Sequence, residues 1–193
     1  MMNRVISAAT VLAIVAAPAL AKQTPPPQQT TPQTAKQQSA PPAQKAMADS
    51  TFVTKAAQGG MAEVEFGKLA TEKASSDSVK QFGQRMVDDH SKANDELKSL
   101  AQQKNMTLPT EMNAKDKAEQ DQLLKLSGEA FDRAYMRMMV EDHRRDVNEF
   151  RNESKAGKDP EVKAWAAKTL PTLEDHLKMA QETNRAVGTS GKK

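Results

Sequence analysis

The chain has 193 residues, with 28 Lys and Arg, 25 Asp and Glu, three His and no Cys. Because Cys is absent, a disulfide framework, an iron–sulfur cluster and a zinc–thiolate site are excluded. Only 4% of the residues are aromatic and Met occurs 11 times, a composition that favours helices over a β-sandwich or barrel.

The net charge of +3 is concentrated at the start of the chain. Arg4, Lys22, Lys36 and Lys45 are the only charged residues before position 49, and removing these four from +3 leaves −1 for the remainder. That remainder lacks the basic surface that binding to phosphate groups requires. We therefore expect no nucleic-acid partner.

Residues 1–21 are typical of a secretory signal peptide. Arg4 provides the positive start, an apolar stretch follows over residues 5–17, and Ala-Leu-Ala at 19–21 matches a cleavage site. The apolar stretch is shorter than the roughly 20 residues that a membrane span needs. We expect a periplasmic or secreted protein with no transmembrane anchor after cleavage.

Residues 22–48 are rich in Pro, Gln and Thr, and Met47 is their only large apolar side chain. Such a composition buries too little apolar surface to offset the entropy lost on ordering, so we predict a disordered tether. A folded bundle is predicted over residues 49–188 and a flexible tail over residues 189–193.

From Asp49 onward, apolar residues recur every three or four positions, which predicts α-helices. Long helices are predicted over about residues 49–74, 77–105, 128–156 and 160–187, with a short helix over 114–126. Pro160 after Asp159 is typical of a helix start, Pro171 is expected to kink the last helix, and Gly188 is expected to follow its end. The prediction is an all-α four-helix bundle, either simple up-down or with a long crossover.

A pattern of apolar residue, acid, Asp and His recurs in three of the long helices and includes every His of the chain. The three copies are Val87-Asp88-Asp89-His90, Val140-Glu141-Asp142-His143 and Leu173-Glu174-Asp175-His176. Each His lies on the apolar face near the middle of its helix, as Glu63 does on the first helix. We expect the four side chains to converge at the bundle midplane, and the preceding acids to face solvent.

This layer predicts a site for one transition-metal ion, because bundle proteins hold metals between facing helices. The predicted ligands are His90, His143, His176 and Glu63. Imidazole and carboxylate suit Cu, Zn or Fe, and Asp132 and Tyr135 are predicted to hydrogen-bond the ligands. The alternative is a buried polar network of the same side chains without metal. Nearby methionines suit Cu(I), although Met at this spacing is also ordinary core filling: Met86, Met136, Met139 and Met179.

Four segments resemble the exported bacterial family of unknown function numbered 4142, which is assigned to ferritin-like bundles. They are FVTKAAQGGMAEVEFGKLA, FGQRMVDDHSKANDELKSLA, GEAFDRAYMRMMVEDHRRDVNEF and LPTLEDHLKMA. The resemblance covers about residues 50–188 and implies a ferritin-like fold and a periplasmic or outer-membrane location. Ferritin-like di-iron enzymes carry Glu-x-x-His on two helices, whereas Val87, Val140 or Leu173 stands three residues before each His here.

The sequence contains no Gly-rich phosphate loop, no G-x-S-x-G and no H-E-x-x-H, so it favours a protein without enzymatic activity but leaves an enzyme open. Three function classes remain. The first is a metal-binding or metal-handling protein, and the second is a structural or stress-related interaction module with a protein or envelope partner. The third is a small ferritin-type oxidoreductase, which the missing Glu-x-x-His motif disfavours.

Overall fold

The computed structural model describes residues 49–190, and this part of the chain folds into five α-helices. They are α1 (Asp49–Lys73), α2 (Asp77–Gln103), α3 (Ala114–Leu124), α4 (Gly128–Ala156) and α5 (Pro160–Ser190). The predicted four-helix bundle with a short extra helix before its third long helix is confirmed. The predicted signal peptide and tether and residues 191–193 lie outside the described residues.

Local contacts explain where the helices begin and end. The side chain of Asp159 accepts hydrogen bonds from the backbone N–H groups of Glu161 and Val162, which starts α5 at Pro160 as predicted. The last helix is longer than predicted, because α5 continues through Gly188 to Ser190. Val187 is buried in the core, and this packing holds the helix past the position where the glycine was expected to end it.

The bundle consists of two antiparallel hairpins, α1–α2 and α4–α5, which pack side by side. At one end, backbone N–H groups of Ser75 and Ser76 donate to the carboxylate of Asp132, at 3.1 and 2.9 Å. At the other end, the N–H of Asp159 donates to the carboxylate of Asp49 at 2.6 Å. Thus α4 runs antiparallel to α1, and the connection that contains α3 crosses the length of the bundle. Of the two topologies that the sequence allowed, the structure has the long crossover.

The core is divided into two apolar clusters, and the division falls at the same level on each helix. Along each helix, one cluster ends and the other begins within a short interval. This interval lies between Met86 and Leu97 on α2, between Val140 and Val147 on α4, and between Leu173 and Ala180 on α5. Each interval contains one His. The histidines therefore form a polar layer between two apolar halves of the bundle.

Two glycines set the closest approach of α1 and α2. A Cβ atom on Gly67 would lie 2.6 Å from the carbonyl oxygen of Gly83, and one on Gly83 would lie 2.6 Å from the Cβ of Ala70. Neither helix could come so close with a larger residue at these positions. Within residues 49–190, no helix combines the length and the hydropathy that crossing a membrane requires.

Candidate metal site

The structure brings together the three histidines that the sequence pattern singled out. His90 extends from α2, His143 from α4 and His176 from α5, and their ring centroids lie 5.3 to 5.8 Å apart. One ring nitrogen from each lies within 4.8 Å of the other two. The exposed fraction is 7% for His90 and 0% for the other two, so the group is buried inside the bundle.

The ring of His143 is held in one tautomer. Its Nδ1 lies 3.0 Å from the carbonyl oxygen of Met139, one turn earlier in α4. A carbonyl oxygen only accepts hydrogen bonds, so Nδ1 carries the proton and Nε2 keeps its lone pair. That Nε2 is buried and has no hydrogen-bond partner. His143 thus offers a free nitrogen donor in the middle of the bundle.

The ring of His176 is held by a carboxylate from another helix. Its Nε2 lies 2.8 Å from Oδ2 of Asp89 on α2, and Asp89 is also paired with Arg85. Burial acts to raise the pKa of Asp89, but the hydrogen bonds from Arg85 and His176 outweigh it and lower the pKa. Because the ionised carboxylate accepts, Nε2 of His176 donates, and the buried Nδ1 is left with a lone pair and no partner. Carboxylates hold metal-binding imidazoles in this way.

All three imidazoles are neutral at pH 7. Burial lowers the pKa of His143 to about 3, with a further contribution from His176. Burial also lowers the pKa of His90, well below its ordinary value, and that of His176. His90 keeps a buried, unpartnered Nε2, so each ring has one such nitrogen. Neutral imidazole is the form that binds metals.

The spacing of the three nitrogens is close to that of a metal site. Metal–nitrogen bonds of about 2 Å place three ligand nitrogens roughly 3.3 Å apart in a tetrahedral geometry. The nitrogens here lie within 4.8 Å of one another. Small rotations of the side chains, closing these distances by about 1.5 Å at most, would suffice.

Glu63 lies beside the layer and not within the group of three. Its Oε1 is 3.7 Å from Nδ1 of His143, the nitrogen that already faces Met139, and its Oε2 is buried without a partner. Burial raises the pKa of Glu63 well above its ordinary value, and the nearby carboxylates of Asp146 and Asp142 add to the shift. The carboxyl group of Glu63 therefore holds its proton more strongly than an exposed glutamate does.

The other two predicted residues occupy different surroundings. Asp132 accepts three hydrogen bonds from Ser75 and Ser76 in the α1–α2 turn, so it stabilises one end of the bundle and was wrongly expected to contact the imidazoles. The hydroxyl of Tyr135 is buried without a partner, and its ring stacks on Phe131 at 5.5 Å. Burial raises the pKa of Tyr135 well above its ordinary value, and the charge of Glu63 adds to the effect.

The acid before each His does not face solvent in every copy of the pattern. Asp175 is exposed as expected, but Asp142 is buried and paired with Arg145, and Asp89 reaches across to His176. Asp89 is the partner of the histidine layer that sequence reasoning missed. It belongs to the repeated pattern, but nothing in the pattern indicated that its partner lies on another helix.

Comparison with known proteins places the chain in a family. The sequence profile of the family described as Domain of unknown function (DUF4142) matches residues 32–183. The chain belongs to this family. No curated protein sequence matches the chain. The DUF4142 assignment agrees with the resemblance found in the sequence, and it leaves the activity open.

Solved structures with the same fold include two DUF305 proteins and CopM. A DUF305 protein from Streptomyces coelicolor, described as a candidate secreted protein, aligns with a TM-score of 0.63 at 13% identity, covering 73% of this chain and 94% of its own. A DUF305 fragment from Deinococcus radiodurans aligns with a TM-score of 0.63 at 16% identity, covering 77% and 99%. CopM in its Cu(II)-bound form aligns with a TM-score of 0.62 at 18% identity, covering 72% and 97%. At these identities the comparison shows the shared fold alone.

Proposed function

We propose that this DUF4142 protein is an exported metal-binding protein that holds one transition-metal ion between His90, His143 and His176. One observation carries the proposal: each ring keeps a buried nitrogen without a partner, and one nitrogen of each lies within 4.8 Å of the other two. An ion bound between the rings would supply a partner of the kind that these nitrogens lack. The predicted signal peptide and the secreted description of one fold neighbour support export.

Copper is the first metal to test, followed by zinc and iron. Imidazole binds all three, so the ligand type alone does not select among them. Copper is favoured because one protein of the same fold, CopM, is described in a Cu(II)-bound form. The carboxyl group of Glu63, 3.7 Å from His143, adds an oxygen donor that a cation at the layer could recruit.

The competing function is a structural or interaction module whose histidines form a buried polar network. Two contacts fit that reading, from His143 to the carbonyl of Met139 and from His176 to Asp89. A closed network would also join the rings to one another, but among residues 49–190 no hydrogen bond links two of them. Each buried polar atom left unpaired costs about 1–3 kcal/mol. The three free nitrogens therefore favour the metal site.

Metal-dependent stability tests this function. A metal that binds only the folded state stabilises it by about 2.7 kcal/mol at 100 times its Kd. For a domain of about 140 residues, each kcal/mol shifts the melting temperature by roughly 3 °C, so a rise of about 8 °C is expected. The full chain is freed of metal with a chelator and melted with and without CuCl2, ZnCl2 or an iron(II) salt. Bound metal is then measured after dialysis.

Two variants of α4 separate metal binding from core packing. His143→Ala should lose most of the metal-induced rise, because it removes one of three ligands. Val147→Ala, one turn later on α4 and also buried, should lower the melting temperature but keep the rise. If no metal is retained by the wild type and none shifts its melting temperature, the metal-binding function is refuted and the polar network remains.

A further inference from the structure

Two cavities lie near the histidine layer and share part of their lining. One, of about 30 Å³, is lined by His90 and Trp165, and the other, of about 170 Å³, is lined by Glu63. Both are also lined by the same four residues, which we call the shared rim: Lys55, Gly59, Asp146 and Glu149. The shared rim therefore borders both cavities, one of which is lined by His90 and the other by Glu63.

The larger cavity has an excess of acidic groups. Its lining contains five acids, two of which belong to the shared rim, and three basic residues. A cleft with low-dielectric walls and an excess of one sign of charge concentrates counter-ions and can raise their association rate by a factor of 10 to 1,000. Burial raises the pKa of Asp146 to about 7, so the negative excess of this cavity, and with it the attraction for a cation, increases as the pH rises above 7.

Each cavity is also lined by a buried polar group that has no partner. His90, which is 7% exposed and has an unpartnered Nε2, lines the smaller cavity, and Glu63, which is 3% exposed and has an unpartnered Oε2, lines the larger. These are a nitrogen donor and an oxygen donor of the kind that transition metals bind. They point to a cation as the species that the two cavities accommodate, independently of the acids at the rim.

Two residues of the shared rim form a weak ion pair with each other. Nζ of Lys55 lies 3.2 Å from Oε1 of Glu149, and the Lys55 side chain is half exposed. Surface pairs of this kind contribute about 0–1 kcal/mol, so a metal cation can displace the ammonium group from Glu149. Asp146 lies one turn before Glu149 on α4 and also contacts Arg145, at 3.9 Å.

We infer that the shared rim is the route by which a metal cation reaches the histidine layer, with the carboxylates of Asp146 and Glu149 as transient oxygen ligands on the way to His90. This inference rests on the proposed metal-binding function and adds a path to it. It concerns the rate of uptake, whereas the proposed function concerns the bound state. The two can therefore fail separately.

Trp165 provides the measurement. It is the only Trp in the sequence, and it lines the smaller cavity together with His90. A Cu²⁺ ion bound at the layer should quench its fluorescence, so CuCl2 is mixed with the metal-free full chain in a stopped-flow instrument. The double variant Asp146→Asn/Glu149→Gln should bind Cu²⁺ at least about 10-fold more slowly at low salt, the lower end of the range for electrostatic steering. Added salt should slow the wild type more than the variant.

Two further variants guard against indirect effects. Glu72→Gln/Glu182→Gln removes the same charge from exposed positions that line neither cavity, so its rate should match the wild type. Gly59→Phe adds a ring at the shared rim, where a Cβ atom would meet no atom within 4 Å, and should slow both uptake and release. Metal content at saturation is measured for every variant, which separates slow uptake from loss of the site.

The outcomes distinguish the two ideas. If the wild type binds Cu²⁺ but both rim variants take it up at the wild-type rate, the route is wrong and the metal site stands. If the wild type shows neither quenching nor retained copper, and zinc and iron also fail to bind, the proposed function fails and the route fails with it.

Discussion

The contact between Gly67 and Gly83 gives the most quantitative test of the bundle. An Ala at position 67 would place its Cβ atom 2.6 Å from the carbonyl oxygen of Gly83 and 3.0 Å from Cγ2 of Val87. The first neighbour is backbone and cannot rotate away, so the helices must separate by roughly 0.8 Å to reach ordinary contact of about 3.4 Å. That hairpin carries both Glu63 and His90, so its spacing matters for the site.

The expected loss of stability follows from two opposing effects. Overpacking of a close contact costs about 1–3 kcal/mol. Replacing Gly by Ala inside a helix returns up to about 1 kcal/mol through helix propensity. For Gly67→Ala we expect a net destabilisation of about 1–2 kcal/mol, which lowers the melting temperature of this domain by roughly 3–6 °C.

Gly59→Ala is the matched control, because Gly59 lies on the same helix and an added Cβ would meet no atom within 4 Å. Without a steric clash, the only effect is the higher helix propensity of Ala, so the melting temperature should rise by up to about 3 °C. Both variants are melted in the presence of a chelator, with circular dichroism as the readout. If they shift the melting temperature in the same direction, the steric reasoning about the α1–α2 contact is refuted.

Three further substitutions follow from the charged groups. Burial raises the pKa of Glu153 to about 7, helped by its hydrogen bond to Asp49. Since this pKa is higher in the folded state, the free energy of unfolding falls as the pH rises from about 4.5 to 7. In urea titrations, Glu153→Gln should therefore stabilise the protein by up to about 3 kcal/mol at pH 8 and by almost nothing at pH 4. Equal stabilisation at both pH values would contradict this reasoning. Asp89→Asn should weaken metal affinity about 10- to 100-fold, measured by competition with a chelator, because His176 loses its carboxylate partner; unchanged affinity would count against that role. Asp132→Ala should lower the free energy of unfolding by about 2–4 kcal/mol in urea titrations, because three hydrogen bonds are lost. The metal affinity of this variant should be unchanged. A weakened affinity would instead support the predicted role of Asp132 at the imidazoles.

The helices and the level of the histidine layer were predictable because both depend on spacing along the chain. A period of three to four residues places His90, His143 and His176 on the inner face of their helices. Their distances from the turns then place them at a similar depth. The crossover was not predictable, since each His lies near the middle of its helix and reversing α4 leaves the layer intact.

The identity of the groups that contact each imidazole was not predictable, because it depends on side-chain rotation and on which helices are neighbours. Asp132 shares the inner face of α4 with His143, yet the α1–α2 turn packs on that end and uses its carboxylate. Asp89 looked like a surface residue of α2, and only the neighbouring position of α5 brings His176 within reach. Periodicity thus locates the layer but does not determine its hydrogen bonds.

The distribution of the histidines between the hairpins suggests why a metal would stabilise this fold. His90 belongs to the first hairpin, whereas His143 and His176 belong to the second, and the helices pack most extensively within each hairpin. An ion bound to all three rings would cross-link the two hairpins at the level where the apolar core is interrupted. Without the ion, that level is held by Asp89, which also joins the hairpins through His176. The layer is therefore the place in the bundle where a single bound ion would strengthen the weaker of its interfaces.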